Sequence, residues 1–253
     1  MIDFEIEVIR RKIRKVMGKH AELERELKGK AGFIFLKMEE VLALGQYRFG
    51  SEISSADLTS QFRASRAPVA MAMNLLQAAG YIVIRPQAGA WVIQPSQEEV
   101  WAFFRLFANA EAVHTDLAAQ RCNPAEVQIL SQIQDTIERI SPDESSDWVK
   151  EELILIGLFH KQVRLMAGTP WLSRQTSSVW PMSNFLMAAS GGRSDYDRPS
   201  QHKTRRLIID ALLAKDAIRA SEAMFKYVIG RGPSSPALHE STGNWHHFTP
   251  DSE

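Results

Sequence analysis

The feature that most constrains this chain is a change of hydrophobic period at Gly80. On both sides of it apolar residues recur at three and four residues, the spacing of one helix face, but directly after Gly80 the runs 81–85 and 90–93 have strand character. Pro86, Gln87, Ala88 and Gly89 join these runs, so the pair reads as a hairpin. A lone two-stranded hairpin is marginal in water and has to pack on its neighbours. The sequence before it supplies them. A helical stretch over 33–44 stops at Gly45, and Ser54 or Ser55 caps a short helix that holds Leu58 and Phe62, with Asp57 in its first turn. Residues 63–65 form a tight connection, and a further helix runs from Arg66 to Gly80 with Pro68 in its first turn and Val69, Met73, Leu75 and Leu76 facing inward. A helix, a short helix, a turn, a second helix and a hairpin within about 60 residues is the winged helix-turn-helix order, whose second helix enters the DNA major groove.

Nearly everything else has helical period. Ser96 and Glu99 spell a reciprocal capping box, and candidate helices follow over 98–120, 124–140, 147–167, 170–189, 199–214 and 216–228. Such segments pack as a bundle with ligand space between facing helices. A helix is also expected over 4–28, followed by punctuation at Gly29 and Gly32; residues 191–199 read as a polar break, and 230–253 as a fraying tail that holds His246 and His247. The fold class is therefore mainly α: a winged helix-turn-helix with a small β-hairpin wing, then an all-α helical bundle. The expected division is a basic helical extension over 1–31, the winged head over 32–95, a helical effector-binding and dimerisation domain over 96–229, and a flexible tail over 230–253.

Composition narrows the function. A chain of 253 residues with 45% apolar content buries a real core, and the single cysteine, Cys122, leaves no intramolecular disulfide, which suits a reducing cytoplasm. The strongest apolar run, 153–159, is far short of the roughly 20 residues that span a bilayer, and the mixed charges at the N-terminus do not make a secretory signal. No membrane partner is expected. Thirty basic and thirty acidic side chains cancel, yet residues 1–95 carry 14 basic against 10 acidic ones. Arg10, Arg11, Lys12, Arg14, Lys15 and Lys19 form a basic stripe with no acid among them, a phosphate-contacting helix or simply a solvated face. No Gly-rich phosphate loop, paired-Cys motif or nucleophile elbow is present, so the residues do not read as an enzyme.

At Ile53-Ser54-Ser55-Ala56-Asp57-Leu58, Ala64-Ser65-Arg66-Ala67-Pro68-Val69 and Leu76-Gln77-Ala78-Ala79-Gly80-Tyr81-Ile82 the chain resembles the GntR family of bacterial transcription regulators, as it does at the wing, Ile84 to Val92. The helical part resembles the FadR-type branch with its FCD ligand-binding domain, through Glu98-Glu99-Val100, Phe159-His160, the Ala167-Gly168-Thr169-Pro170 turn and residues 205–227. The resemblance covers about residues 33–229. It implies a homodimer that binds double-stranded operator DNA, with Arg63, Ser65, Arg66, Arg85, Gln87 and Gly89 as the candidate contacts, and whose helical domain senses a small-molecule effector.

The chain departs from the family pattern in both parts. Two arginines usual in the head are replaced by Ala56 and Ala70, which leaves Arg66 of that set. Where many members bind a divalent metal through an Asp and three His, this chain has Ile156, His160, Arg205 and Tyr227, so no metal cofactor is expected; His160 with His202 is the weak alternative. The resemblance then implies an effector site of Phe107, Ile156, His160, Arg205 and Tyr227, in which Arg205 holds an effector carboxylate or else pairs with a core acid such as Asp116. Phe103, Phe104 and Phe107 line such a cavity or are plain core. The function so read is a ligand-responsive transcription regulator. The alternative is a small-molecule-binding or partner-binding protein that has lost specific DNA binding.

Overall fold

The computed structural model describes residues 2–17, 29–141, 147–191 and 197–232. After α1 (Ile2–Met17), the head comprises α2 (Gly29–Ala43), α3 (Ser55–Gln61), α4 (Arg66–Ala78), β1 (Ile82–Arg85) and β2 (Gly89–Val92). The Ser54 hydroxyl accepts the Asp57 N–H at the start of α3, as the sequence predicts. Ile34, Phe35, Met38 and Leu42 of α2 are buried, as are Val69, Ala72, Met73 and Leu76 of α4, and the two helices pack together. The strands pair antiparallel with Ile82 opposite Val92 and Arg85 opposite Gly89. Gly80 at φ +81° makes the sharp exit from α4 into the hairpin, a backbone conformation cheap only for glycine. Gly32 does not punctuate the chain: it lies buried inside α2, where a glycine is tolerated at a cost of about 1 kcal/mol.

The helical domain contains α5 (Gln97–Arg121), α6 (Pro124–Glu138), α7 (Trp148–Met166), α8 (Pro170–Thr176), α9 (Val179–Ala189), α10 (Arg198–Leu213) and α11 (Ala217–Ile229). Both halves of the Ser96/Glu99 capping box form, and Asn123 with Glu126 makes a second one at α6. α5 packs along α11 and α7, α10 packs on α11 and α6, and α6 packs on α7. The single helix expected over 170–189 is two helices. Pro181 has no N–H to give the Ser177 carbonyl and its ring would strike that carbonyl, so a continuous helix fails one turn earlier and the chain restarts at Val179.

Helix α9 reaches the head. It packs on both α2 and α5, and the Phe185 ring lies edge-on to Tyr81 at 5.5 Å and to Phe49 at 5.7 Å. Helix α1 lies against α6 and α7 through buried Ile6 and Ile9, and Lys12 donates to Gln132. The basic stripe, as far as its side chains are described, therefore belongs to a helix seated on the helical domain. Residues 18–28, the second half of the helix expected there and Lys19 with it, lie outside the described residues, as does the tail from 233 on, with His246 and His247.

Candidate functional site

The head presents its candidate contacts on the surface. Arg63, in the turn between α3 and α4, adopts φ +44°, which is costly for a residue with a Cβ and places the connection tightly before α4. Ser65 precedes α4 and is exposed, and its hydroxyl does not cap the helix; Arg66 opens it, also exposed. At the wing, Gln87 has φ +61° and Gly89 φ +127°, and Ala88 N–H closes the turn on Arg85 O. The Arg85 guanidinium lies 5.4 Å from the centre of the Trp91 ring, so it is partly held by cation–π attraction while it remains exposed.

In the helical domain α5, α9 and α11 converge on His160, which is fully buried on α7. Its Nδ1 lies 2.6 Å from Glu111 Oε2 of α5, and the other oxygen of Glu111 receives Arg164 Nη1 at 2.6 Å. Burial alone would raise the Glu111 carboxyl, but Arg164 and His160 outweigh it and hold the group well below the usual carboxylate range. Burial pushes His160 down, with Arg164 and Arg231 adding to the effect and Glu111 opposing it, so the imidazole is neutral. Opposite a carboxylate, Nδ1 carries the proton, which makes Nε2 a lone-pair acceptor. That Nε2 is buried without a hydrogen-bond partner among the described residues. The ring is flanked by Trp180 at 4.7 Å and Tyr227 at 5.7 Å, with Phe107 at 5.7 Å.

Two guanidinium groups meet at the Tyr227 hydroxyl. Arg205 of α10 donates from Nη1 to Tyr227 Oη at 3.0 Å and from Nε to Gln134 Oε1 at 2.6 Å. Arg231, just beyond α11, donates from Nη2 to Asn184 Oδ1 at 2.8 Å, approaches Tyr227 Oη at 3.4 Å, and lies 4.4 Å over the Trp180 ring. Its Nε is buried without a partner. The structure thus brings Phe107, His160, Arg205 and Tyr227 together. Ile156 is buried one helical turn before His160, and Phe104 and Phe107 are fully buried. Asp116 accepts from Gln120.

The sequence reading missed Glu111, Arg164, Gln134 and Arg231. Glu111 stands three residues before His114 and four before Thr115 on α5, and Arg164 four after His160 on α7, so polar residues at helical spacing within apolar stretches were the available signal. Arg231 lies four residues after Tyr227 but falls in the stretch expected to fray; it is buried, and a Cβ added at Gly232 would stand 3.1 Å from the Phe104 ring, so this end of the described chain is packed instead.

The residues beside His160 do not suit a divalent metal: Ile156, Arg205 and Tyr227 supply no further carboxylate or imidazole, and the buried guanidinium of Arg231 would repel a metal ion. His202, one turn before Arg205, is part-buried and is pushed down by burial and by the charges of Arg205 and Arg198, which disfavours a shared cation there as well. A separate groove of about 410 Å³ opens between α2 and helices α7 to α9, and Arg164, Trp180 and Asn184, all engaged at the buried site, also line it.

The family profile described as bacterial regulatory proteins, gntR family, matches residues 30–92, and that of the FCD domain matches residues 110–229. Among solved structures, E. coli McbR/YncC is similar at 17% identity and a TM-score of 0.65, over 80% of this chain and 94% of that one. A transcriptional regulator GntR from Rhodococcus sp. RHA1 is similar at 17% identity and a TM-score of 0.64, over 79% of this chain and 94% of that one. At such identities the likeness establishes a shared fold. No protein of curated function matches the sequence.

Proposed function

Because the chain belongs to the GntR family of bacterial regulatory proteins and carries an FCD domain, we propose that it binds operator DNA as a homodimer and that a small organic anion in the helical domain governs that binding. Its family makes it a transcription regulator and not an enzyme. No helix among the described residues is long and apolar enough to cross a membrane. As a member of a bacterial DNA-binding regulator family it acts, in this reading, in the cytoplasm.

One observation carries the anion. Arg231 is 2% exposed, and among the described residues its Nη atoms reach only the neutral acceptors Asn184 and Tyr227 while its Nε meets no partner. A guanidinium cannot shed its proton, and a buried cation without a counter-charge is costly. A carboxylate supplies that charge with hydrogen bonds about twice as strong as neutral ones. His160 Nε2 adds a demand of its own, for a donor such as a hydroxyl beside the carboxylate. In this reading guanidinium groups supply the positive charge and no metal cofactor is required. Trp180 and Asn184 offer a route to the head, since they hold Arg231 from α9, whose Phe185 packs on Tyr81.

The test is thermal melting of the full chain against a panel of mono-, di- and hydroxycarboxylates. A matching acid at 100 times its Kd stabilises the wild type by about 2.7 kcal/mol. Arg231→Met and Arg205→Met keep a cooperative unliganded melt and lose that rise. An equal rise in both variants refutes the site. Exposed Ala56 and Ala70 favour a second reading, in which the head no longer discriminates DNA sequence and the chain serves as a small-molecule-binding or partner-binding protein.

A further inference from the structure

The outward face of α4 is unusual for a helix that has to grip a polyanion. At 100° per residue, Arg66, Ala70, Asn74, Ala67 and Met71 occupy, in that order, an arc of about 140°. All five are exposed, Met71 at 55%, while Val69, Ala72, Met73 and Leu76 fill the opposite arc inside the head. Gln77, at the end of the same face, is committed to the wing, where its Oε1 accepts the Ile84 N–H at 2.9 Å. The side chains left for a partner are thus one guanidinium at one edge, one amide near the middle, and three apolar groups.

Those chemistries map onto base edges. In the major groove a guanidinium matches the two acceptors of guanine, a side-chain amide matches the N6 and N7 pair of adenine, and small apolar side chains pack on the C5-methyl of thymine. We infer, on the premise that the head binds operator DNA, that α4 reads a half-site dominated by A·T pairs. Ala67, Ala70 and Met71 contact thymine methyl groups, Asn74 pairs with an adenine, and Arg66 selects one guanine at the half-site edge. An arginine face would be drawn to phosphates as well as to guanine; the apolar face gains nothing from phosphates, so it acts through base identity. Alanine at 70 thereby leaves the centre of this face to base identity and not to charge.

The experiment has a single-group probe. Duplexes are selected from a random pool by the full chain, and the best site is then remade with deoxyuridine in place of each thymidine, which removes the methyl and leaves base pairing intact. Fluorescence anisotropy is expected to show affinity falling about fourfold for each methyl that α4 buries. Met71→Ala, exposed and harmless to the fold, becomes insensitive to deoxyuridine at the position that Met71 contacts, and Asn74→Ala loses preference at one A·T pair. Selected sites rich in G·C, or a sequence-preferring complex indifferent to deoxyuridine, overturn this inference and leave the regulator reading standing. Binding without any sequence preference overturns both.

Discussion

At the residue scale the helical domain rests on a buried cluster whose charges depend on each other. Glu111 balances Arg164 and orients His160, and all three are buried. Glu111→Gln leaves Arg164 without its counter-ion and is expected to cost about 3–5 kcal/mol, measured by denaturant unfolding. The histidines set the pH response. His114, His160 and His202 are each pushed down, chiefly by burial, so below pH ~6.5 the unfolded chain binds protons that the native chain refuses. Stability is therefore present above that pH and declines as the pH falls. The depressed Glu111 adds its own loss only below pH ~4.3, as the pH drops toward its folded value. Melting temperature should fall between pH 7 and pH 5, and His160→Asn should flatten that slope; a flat wild-type profile would contradict the buried neutral imidazole. His160, Arg205 and Tyr227 were singled out in the sequence through the resemblance alone, and the fold brings them together. Glu111 and Arg231 were not, because nothing in a lone Glu or a post-helical Arg says that tertiary packing will bury it.

At the scale of elements, α9 is the piece with two neighbours. Trp180 and Asn184 face Arg231, while Phe185 faces Tyr81 and Phe49 and Ala188 lies against Gly45 of the head. The sequence showed a helix here but not its break, although Pro181 was visible, because an apolar period on both sides of Ser177 outweighs a single proline in pattern reading. Gly157 sets the seat of α9: a Cβ there would stand 2.8 Å from Trp180 Nε1. Glycine to alanine inside a helix ordinarily stabilises by about 1 kcal/mol. Gly157→Ala should instead destabilise by about 1–3 kcal/mol and weaken the anion-induced rise in melting temperature, since Trp180 has to move from Arg231. A stabilised variant with an unchanged ligand response would remove α9 from the account. Helix α1 gives the complementary lesson. Its apolar stripe, Ile6 and Ile9, was readable, whereas the surface that receives it, α6 and α7, was not.

At the scale of the whole molecule, charge is distributed differently from a simple basic head. Over residues 33–95 there are five basic side chains, Lys37, Arg48, Arg63, Arg66 and Arg85, against four acids, and Lys37 is paired with Glu40. The described part of the basic stripe sits on a helix docked to the helical domain. Affinity then has to come from base contacts and from two heads acting together more than from phosphate neutralisation. The most direct measurement is an anisotropy titration of the full chain on the duplex upstream of its own gene and on a scrambled duplex of equal composition, repeated across salt. A preference of at least about 10³-fold for the native duplex is expected at physiological salt, with a shallow salt slope of only a few contacts at about 0.9 per phosphate. Equal affinity for the two duplexes at every salt concentration would contradict it.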